Sequence, residues 1–204
     1  ALDGEVEDYR ITVAAARTDW GDAPDPTYPT LQESDGAYHI ITSDALYLGE
    51  SVSFDLLPQP AAAASGDDDD GFDFSEVSLI QDRETTLTFQ VVNETGKQAY
   101  LHAWIDFNGD GVWSGGEKLS VLDVGSDSGE TTLTFTVPAG AALGQTFARF
   151  RLATQQTLLP TGGAIDGEVE DYMVNIEPTP GNILGFVYND LDGDGVRDLE
   201  DRKS

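Results

Sequence analysis

The sequence predicts an all-β fold, an antiparallel β-sandwich of jelly-roll or Ig-like type with calcium-binding loops, on three observations. Short runs of alternating apolar and polar residues recur along the second half of the chain, each bounded by Gly, Asp, Ser or Pro. Helical patterning has little support at any position. Two acidic loops place oxygen donors at the spacing of a calcium cage.

The elements follow in order. "ALDGEVEDYRITV" opens the chain and "AIDGEVEDYMVNI" returns from Ala164, with eight of the first nine residues identical. Each copy reads as an acidic turn feeding a strand, with Tyr9, Ile11 and Val13, or Tyr172, Val174 and Ile176, on one face. "DWGDAPDPTYP" (Asp19 to Pro29) is too rich in proline for helix and reads as an extended lead-in. "YHII" and "LYLG" are short strands, and "PQPAAAASGDDDDGFD" (Pro58 to Asp73) is a loop or linker. From residue 85 the strand signal strengthens. "TTLTFQVVN" sets Leu87, Phe89 and Val91 on one face, and "AYLHAWID" sets Leu101, Ala103 and Ile105 likewise. "KLSVLDV", "TTLTFTVP", "FARFRLAT" and "YMVNI" follow, at the spacing of an antiparallel sandwich.

Composition narrows the function. With 10 Lys+Arg against 38 Asp+Glu in 204 residues, the net charge of −28 excludes binding to nucleic acid or an anionic membrane surface through a basic patch. No apolar run approaches the roughly 20 residues that cross a bilayer, so no membrane insertion is expected. Cysteine is absent, and bound divalent ions are the natural substitute for disulfides in a secreted domain. The chain opens on Ala1 and reads as a processed or excised piece of a longer protein.

The first loop is "DFNGDGVWSGGE". Asp106, Asn108 and Asp110 stand at positions 1, 3 and 5, Gly111 at the sharp turn of position 6, the Val112 carbonyl at 7, Ser114 at 9 and Glu117 at 12. That is the oxygen-donor set of a twelve-residue Ca²⁺ loop, and carboxylates at alternate positions repel one another without a cation. A bare "NGDG" hairpin turn leaves Glu117 at that distance unexplained. Strands flank the loop, so the ion holds two strands in register and does not open a helix pair. The second loop, "DLDGDGVRDLED", offers Asp190, Asp192, Asp194, the Val196 carbonyl, Asp198 and Asp201 at the same positions, with Asp in place of Glu at the last. Asp19, Asp22, Asp25, Asp67 to Asp70 and Asp73 make a weaker third candidate beside the plainer reading of a solvated acidic loop. Glu168, Glu170 and Asp171 offer carboxylates to such a site as well, beside the plainer reading of a charged turn.

The residues from Thr85 to Ile176, with "AWIDFNGDGVWSGGE", "TFTVPAGAALGQTFARFRL" and "DGEVEDYMVNI", resemble a GEVED domain of bacterial secreted and surface proteins. "DWGDAPDPTYPTL…GAYHI…LYLG" resembles the segment that commonly precedes it, although "SVSFDLLPQPAAAAS" is less acidic than the family pattern. "GNILGFVYNDLDGDGVRDLED" is similar to the start of an adhesin-type calcium-binding B repeat. The resemblance implies residues 1–16 as the end strand of a preceding GEVED-like module, 17–84 as a Pro/Asp-rich lead-in, 85–177 as the GEVED-like sandwich and 178–204 as the start of a B-repeat-like module.

The function expected is therefore a non-catalytic, extracellular, calcium-stabilised structural module at the bacterial cell surface, one unit of an adhesin or filament. Its partners are neighbouring modules or identical subunits, joined head-to-tail by strand addition. The alternative is a carbohydrate- or protein-binding module that uses Trp20, Trp104, Trp113 or the tyrosines against a surface glycan or protein ligand. No enzyme is expected: His39 and His102 lie in strand-like runs without a Ser or Cys nucleophile pattern.

Overall fold

Alternation at period two governs the longest strands, and the computed structural model shows where it is obeyed. It describes residues 4, 6–11, 16–66, 71–74 and 77–181. Eleven strands occur among them: β1 (Thr18–Trp20), β2 (Tyr38–Ile40), β3 (Leu46–Leu48), β4 (Leu79–Ile80), β5 (Glu84–Asn93), β6 (Ala99–Ile105), β7 (Leu122–Gly125), β8 (Gly129–Thr136), β9 (Gly144–Ala153), β10 (Gly163–Ala164) and β11 (Glu168–Glu177). The described residues hold no α-helix; a 3₁₀ turn spans Gln32–Ser34. None of their helices is long and apolar enough to cross a membrane.

The strands form three sheets, ordered β3-β5-β8, β4-β11-β9-β6-β7 and β1-β2-β10. In β5, burial alternates at every position from Glu84 to Val91 because its outer face meets water. Its inner residues Leu87, Phe89 and Val91 pack with Leu133 of β8 against Leu101, Ala103 and Ile105 of β6, Phe150 of β9 and Val174 of β11. That is the sandwich core, and it places the expected faces of β5, β6 and β11 where the periodicity put them. Each such aromatic or aliphatic side chain contributes about 1.5–3 kcal/mol by leaving water.

β9 breaks the alternation. From Ala148 to Ala153 every residue is buried, because the five-stranded sheet is covered on both faces. Its second face carries Trp104, Arg149, Arg151 and Ala153, and the lead-in segment packs on it. Ala23, Tyr28, Trp104, Trp113, Ala153, Leu158 and Ala164 form a second, smaller core there. The lead-in is also woven into the sheets: β2 pairs with β10, β3 with β5, and β4 with the end of β11. Residues 17–84 and 85–177 therefore share their sheets and both cores.

The two copies of the repeated segment have opposite surroundings. In the second copy Val169, Tyr172 and Val174 are buried in β11. In the first, Val6, Tyr9 and Ile11 are 91%, 78% and 81% exposed, and none of residues 6–11 is in a strand.

Candidate cation loop and its supporting layer

β6 ends at Ile105 and the chain turns through residues 106–117 before Trp104 bridges Lys118. The Ile105 amide donates to the Glu117 carbonyl at 3.2 Å and that of Leu119 to the Ala103 carbonyl at 2.8 Å, so the loop is closed at its neck. Inside it the backbone amides turn inward. Gly109 donates to Asp106 Oδ1 at 2.7 Å, Gly111 to Asp106 Oδ2 at 2.9 Å, Asp110 to Asn108 Oδ1 at 2.8 Å and Val112 to Asp110 Oδ1 at 2.9 Å. Asn108 and Ser114 donate to the two oxygens of Glu117 at 3.3 and 2.7 Å. Gly111 sits at φ +82, the left-handed turn its position requires.

Three of the expected donors converge. Asp106, Asp110 and Glu117 each offer a carboxylate oxygen, all within 4.8 Å of one another; Asp106 and Glu117 are buried and Asp110 is exposed. Asn108 Oδ1 lies against Asp110 with one lone pair left over. Val112 and Ser114 are exposed along the same loop. A set made of carboxylate and amide oxygens alone is the donor chemistry of a hard cation such as Ca²⁺ or Mg²⁺. Among the described residues no lysine or arginine is ion-paired with Asp106, Asp110 or Glu117.

The loop rests on the lead-in segment. The Tyr28 hydroxyl donates to Asp106 Oδ2 at 2.6 Å, and its ring lies 4.7 Å from that of Trp113 and 4.9 Å from that of Phe147. Burial, reinforced by the Asp106 carboxylate, pushes the Tyr28 hydroxyl well above its usual range, so it remains a donor at any physiological pH. Trp113 donates through Nε1 to the Phe147 carbonyl at 3.2 Å and faces the Arg149 guanidinium at 4.3 Å.

Beside the loop lies a buried polar layer that the sequence reading missed. Arg149 makes a two-point bond to Asp171, 2.6 Å at each nitrogen, and donates to the carbonyls of Pro29 and Pro160 at 2.9 and 2.8 Å. Arg151 donates to His39 Nε2 at 2.9 Å and to the carbonyls of Leu159, Thr161, Tyr38 and Gly162. Burial and the neighbouring Arg149 push Arg151 down to about 9, which leaves it charged at neutral pH. Glu168, Glu170 and Asp171 are buried on β11, where a charged turn was expected. The Leu48 amide donates to Glu168, and that of Ala23 to Asp171 at 2.9 Å.

The weaker third candidate does not converge among the described residues. Asp25 instead caps the turn that follows it, accepting from the amides of Thr30 and Leu31 and from the Ser34 hydroxyl. The Val169 amide donates to Asp19 at 2.5 Å and the Gly66 amide to Asp22. Asp67 to Asp70, and the whole second loop with Asp190, Asp192, Asp194, Val196, Asp198 and Asp201, lie outside the described residues. Trp20, Trp104 and Trp113 are all buried, which removes the tryptophans as an exposed stacking platform.

Arg149 and Arg151 on β9, Asp171 on β11 and the 106–117 loop fall within one family match. Residues 100–175 match the GEVED domain. The match starts inside β6 and ends inside β11, so it takes in the loop, both arginines and the "GEVEDY" strand. It leaves out Tyr28, His39, β3 and β5, which complete the GEVED-matching sheet on both faces. Comparison with curated proteins gives no match.

Both histidines report on this layer. Burial, then the Arg151 charge, holds His39 well below its usual range, with Nδ1 donating to the Asp166 carbonyl at 2.6 Å and Nε2 accepting from Arg151. Burial also lowers His102, whose Nε2 lies 3.0 Å from the Gln155 carbonyl while the buried Nδ1 has no partner. In both, folding favours the neutral ring, more strongly in His39, whereas unfolded histidines titrate near 6.5. Stability is therefore full above about pH 7 and falls as pH drops below about 6.5, by up to about 1.4 kcal/mol per pH unit per histidine. Urea titrations between pH 7.5 and 5.5 check this; His39→Gln and His102→Gln should each flatten the acid slope.

Proposed function

We propose that this chain is a non-catalytic, extracellular structural module of a bacterial surface adhesin or filament, held rigid by Ca²⁺ at the 106–117 loop. The observation that carries the reading is the convergence of the Asp106, Asp110 and Glu117 oxygens within 4.8 Å at the neck of a strand–loop–strand unit. Asp106, Asn108, Asp110, the Val112 carbonyl, Ser114 and Glu117 would hold the ion; its role is to neutralise the carboxylates and tie β6 to the chain leading into β7. An ion that binds only the folded chain stabilises it by mass action. Assembly with identical subunits or neighbouring modules by strand addition is part of the proposal, supported by the unpaired, exposed copy of β11 at residues 6–11.

The test is a thermal melt in millimolar CaCl₂ and in excess chelator, with light scattering recorded in the same cell. At a hundredfold excess over Kd the ion adds about 2.7 kcal/mol, which raises Tm by roughly 5–11 °C. Particle growth with calcium supports assembly. An unchanged Tm overturns the calcium reading, and a monodisperse monomer at all concentrations overturns assembly.

A further inference from the structure

We propose that Tyr28 is a positioning residue for the cation loop, and that ion binding and docking of the lead-in segment are linked through it. This rests on the calcium reading of the loop and adds a residue from outside the GEVED match. Three contacts tie the two parts together. The Tyr28 hydroxyl bonds Asp106 Oδ2 at 2.6 Å. Its ring packs on Trp113, which occupies position 8 of the loop. Thr27 stands so close that a Cβ on Gly111 would meet its Cγ2 at 2.5 Å.

Asp106 is the first ligand of the loop and is fully buried. Its carboxylate is oriented by two loop amides and by Tyr28, and Tyr28 is the one of these donors that comes from the lead-in. A hydrogen bond that fixes a ligand's orientation is typically worth 10–100-fold in metal affinity. Linkage is reciprocal: if the docked lead-in raises affinity by a factor, the bound ion favours docking by the same factor. What docks is the cover of the arginine layer, since Pro29, Thr30, Tyr38 and His39 all accept from Arg149 or Arg151. In calcium the second face of the five-stranded sheet stays covered; without it the cover loosens around residues 23–36.

The experiment uses the full chain. CaCl₂ is titrated calorimetrically into wild type, Tyr28→Phe, which keeps the ring and removes the hydroxyl, and Tyr38→Phe, whose ring stacks on Trp20 instead. Hydrogen exchange of the Ala23, Tyr28, Thr30 and Gly36 amides is followed across the same calcium range. The expected result is tenfold or greater weakening in Tyr28→Phe, none in Tyr38→Phe, and wild-type protection of those amides that rises with a midpoint at the calorimetric Kd. Equal affinity in Tyr28→Phe and wild type overturns the link and leaves the calcium reading standing. Calcium-independent exchange in a wild type that binds the ion overturns it too, without relying on any variant. No heat of binding in wild type removes the calcium reading and the link with it.

Discussion

Asp171→Ala is expected to cost about 3–5 kcal/mol, and the same substitution at its counterpart in the repeat, Asp8→Ala, less than about 0.5 kcal/mol. The two aspartates occupy the same place in "GEVEDY", so local sequence predicts equal effects. Their surroundings differ. Asp171 is buried and takes both a two-point bond from Arg149 and the Ala23 amide. Removing it leaves a guanidinium charge in a site sealed from water, and the desolvation already incurred is no longer offset. Asp8 is exposed and loses only solvation. Urea denaturation at neutral pH separates the cases, and equal midpoints for the two variants would sink the buried-pair account. A double variant, Arg149→Met with Asp171→Leu, should recover only part of the loss: it removes the unpaired charge but leaves the Pro29 and Pro160 carbonyls and the Ala23 amide without these partners. The pair is thus a constraint on which segment covers the sheet more than a source of net stability.

The same contrast shows how much of the molecule was legible in the sequence. Period-two alternation placed Leu87, Phe89 and Val91, and Leu101, Ala103 and Ile105, in the sandwich core, because those strands bury a defined apolar face. In the 106–117 loop the legible feature was the regular spacing of oxygen donors, and the structure brings the carboxylates of Asp106, Asp110 and Glu117 within 4.8 Å of one another. The arginine layer was not. In "FARFRLA" charges at alternate positions have the same pattern as a half-buried strand with one wet face, so nothing local marks them as buried. A second layer buries that face, and its contributors come from more than a hundred residues away: Pro29, Tyr38 and His39. The acidic residues of "GEVEDY" failed the same test, since charge predicts exposure unless a partner is known. One signal was available: two arginines at alternate positions on one strand and three carboxylates in another, in a chain otherwise poor in cations. Tyr28 was hidden for a different reason. Nothing in the Pro-rich lead-in marks which residue will meet Asp106.

Gly167→Ala is the second large effect expected, about 2–6 kcal/mol, against less than about 1 kcal/mol for Gly4→Ala. Gly167 has φ +77, and a Cβ there would stand 1.8 Å from the Leu152 carbonyl oxygen and 2.8 Å from its carbon. Any other residue is strained in that backbone conformation, and the obstacle is backbone, which no rotamer change relieves. Relief requires β11 to move away from β9 where Glu168 pairs with Leu152. That displacement would carry Glu168 away from the Leu48 amide and Asp171 away from Arg149, so the loss spreads through both faces of the sheet. Gly4, the matching residue of the first copy, has nothing within 4 Å of its Cβ position. A Cβ is therefore tolerated in the free copy and excluded in the docked one. If Gly4→Ala became as costly as Gly167→Ala under the calcium and concentration conditions that produce particle growth, the first copy would have found a strand to pair with. The glycine pair then becomes a stability assay for assembly as well as for the fold.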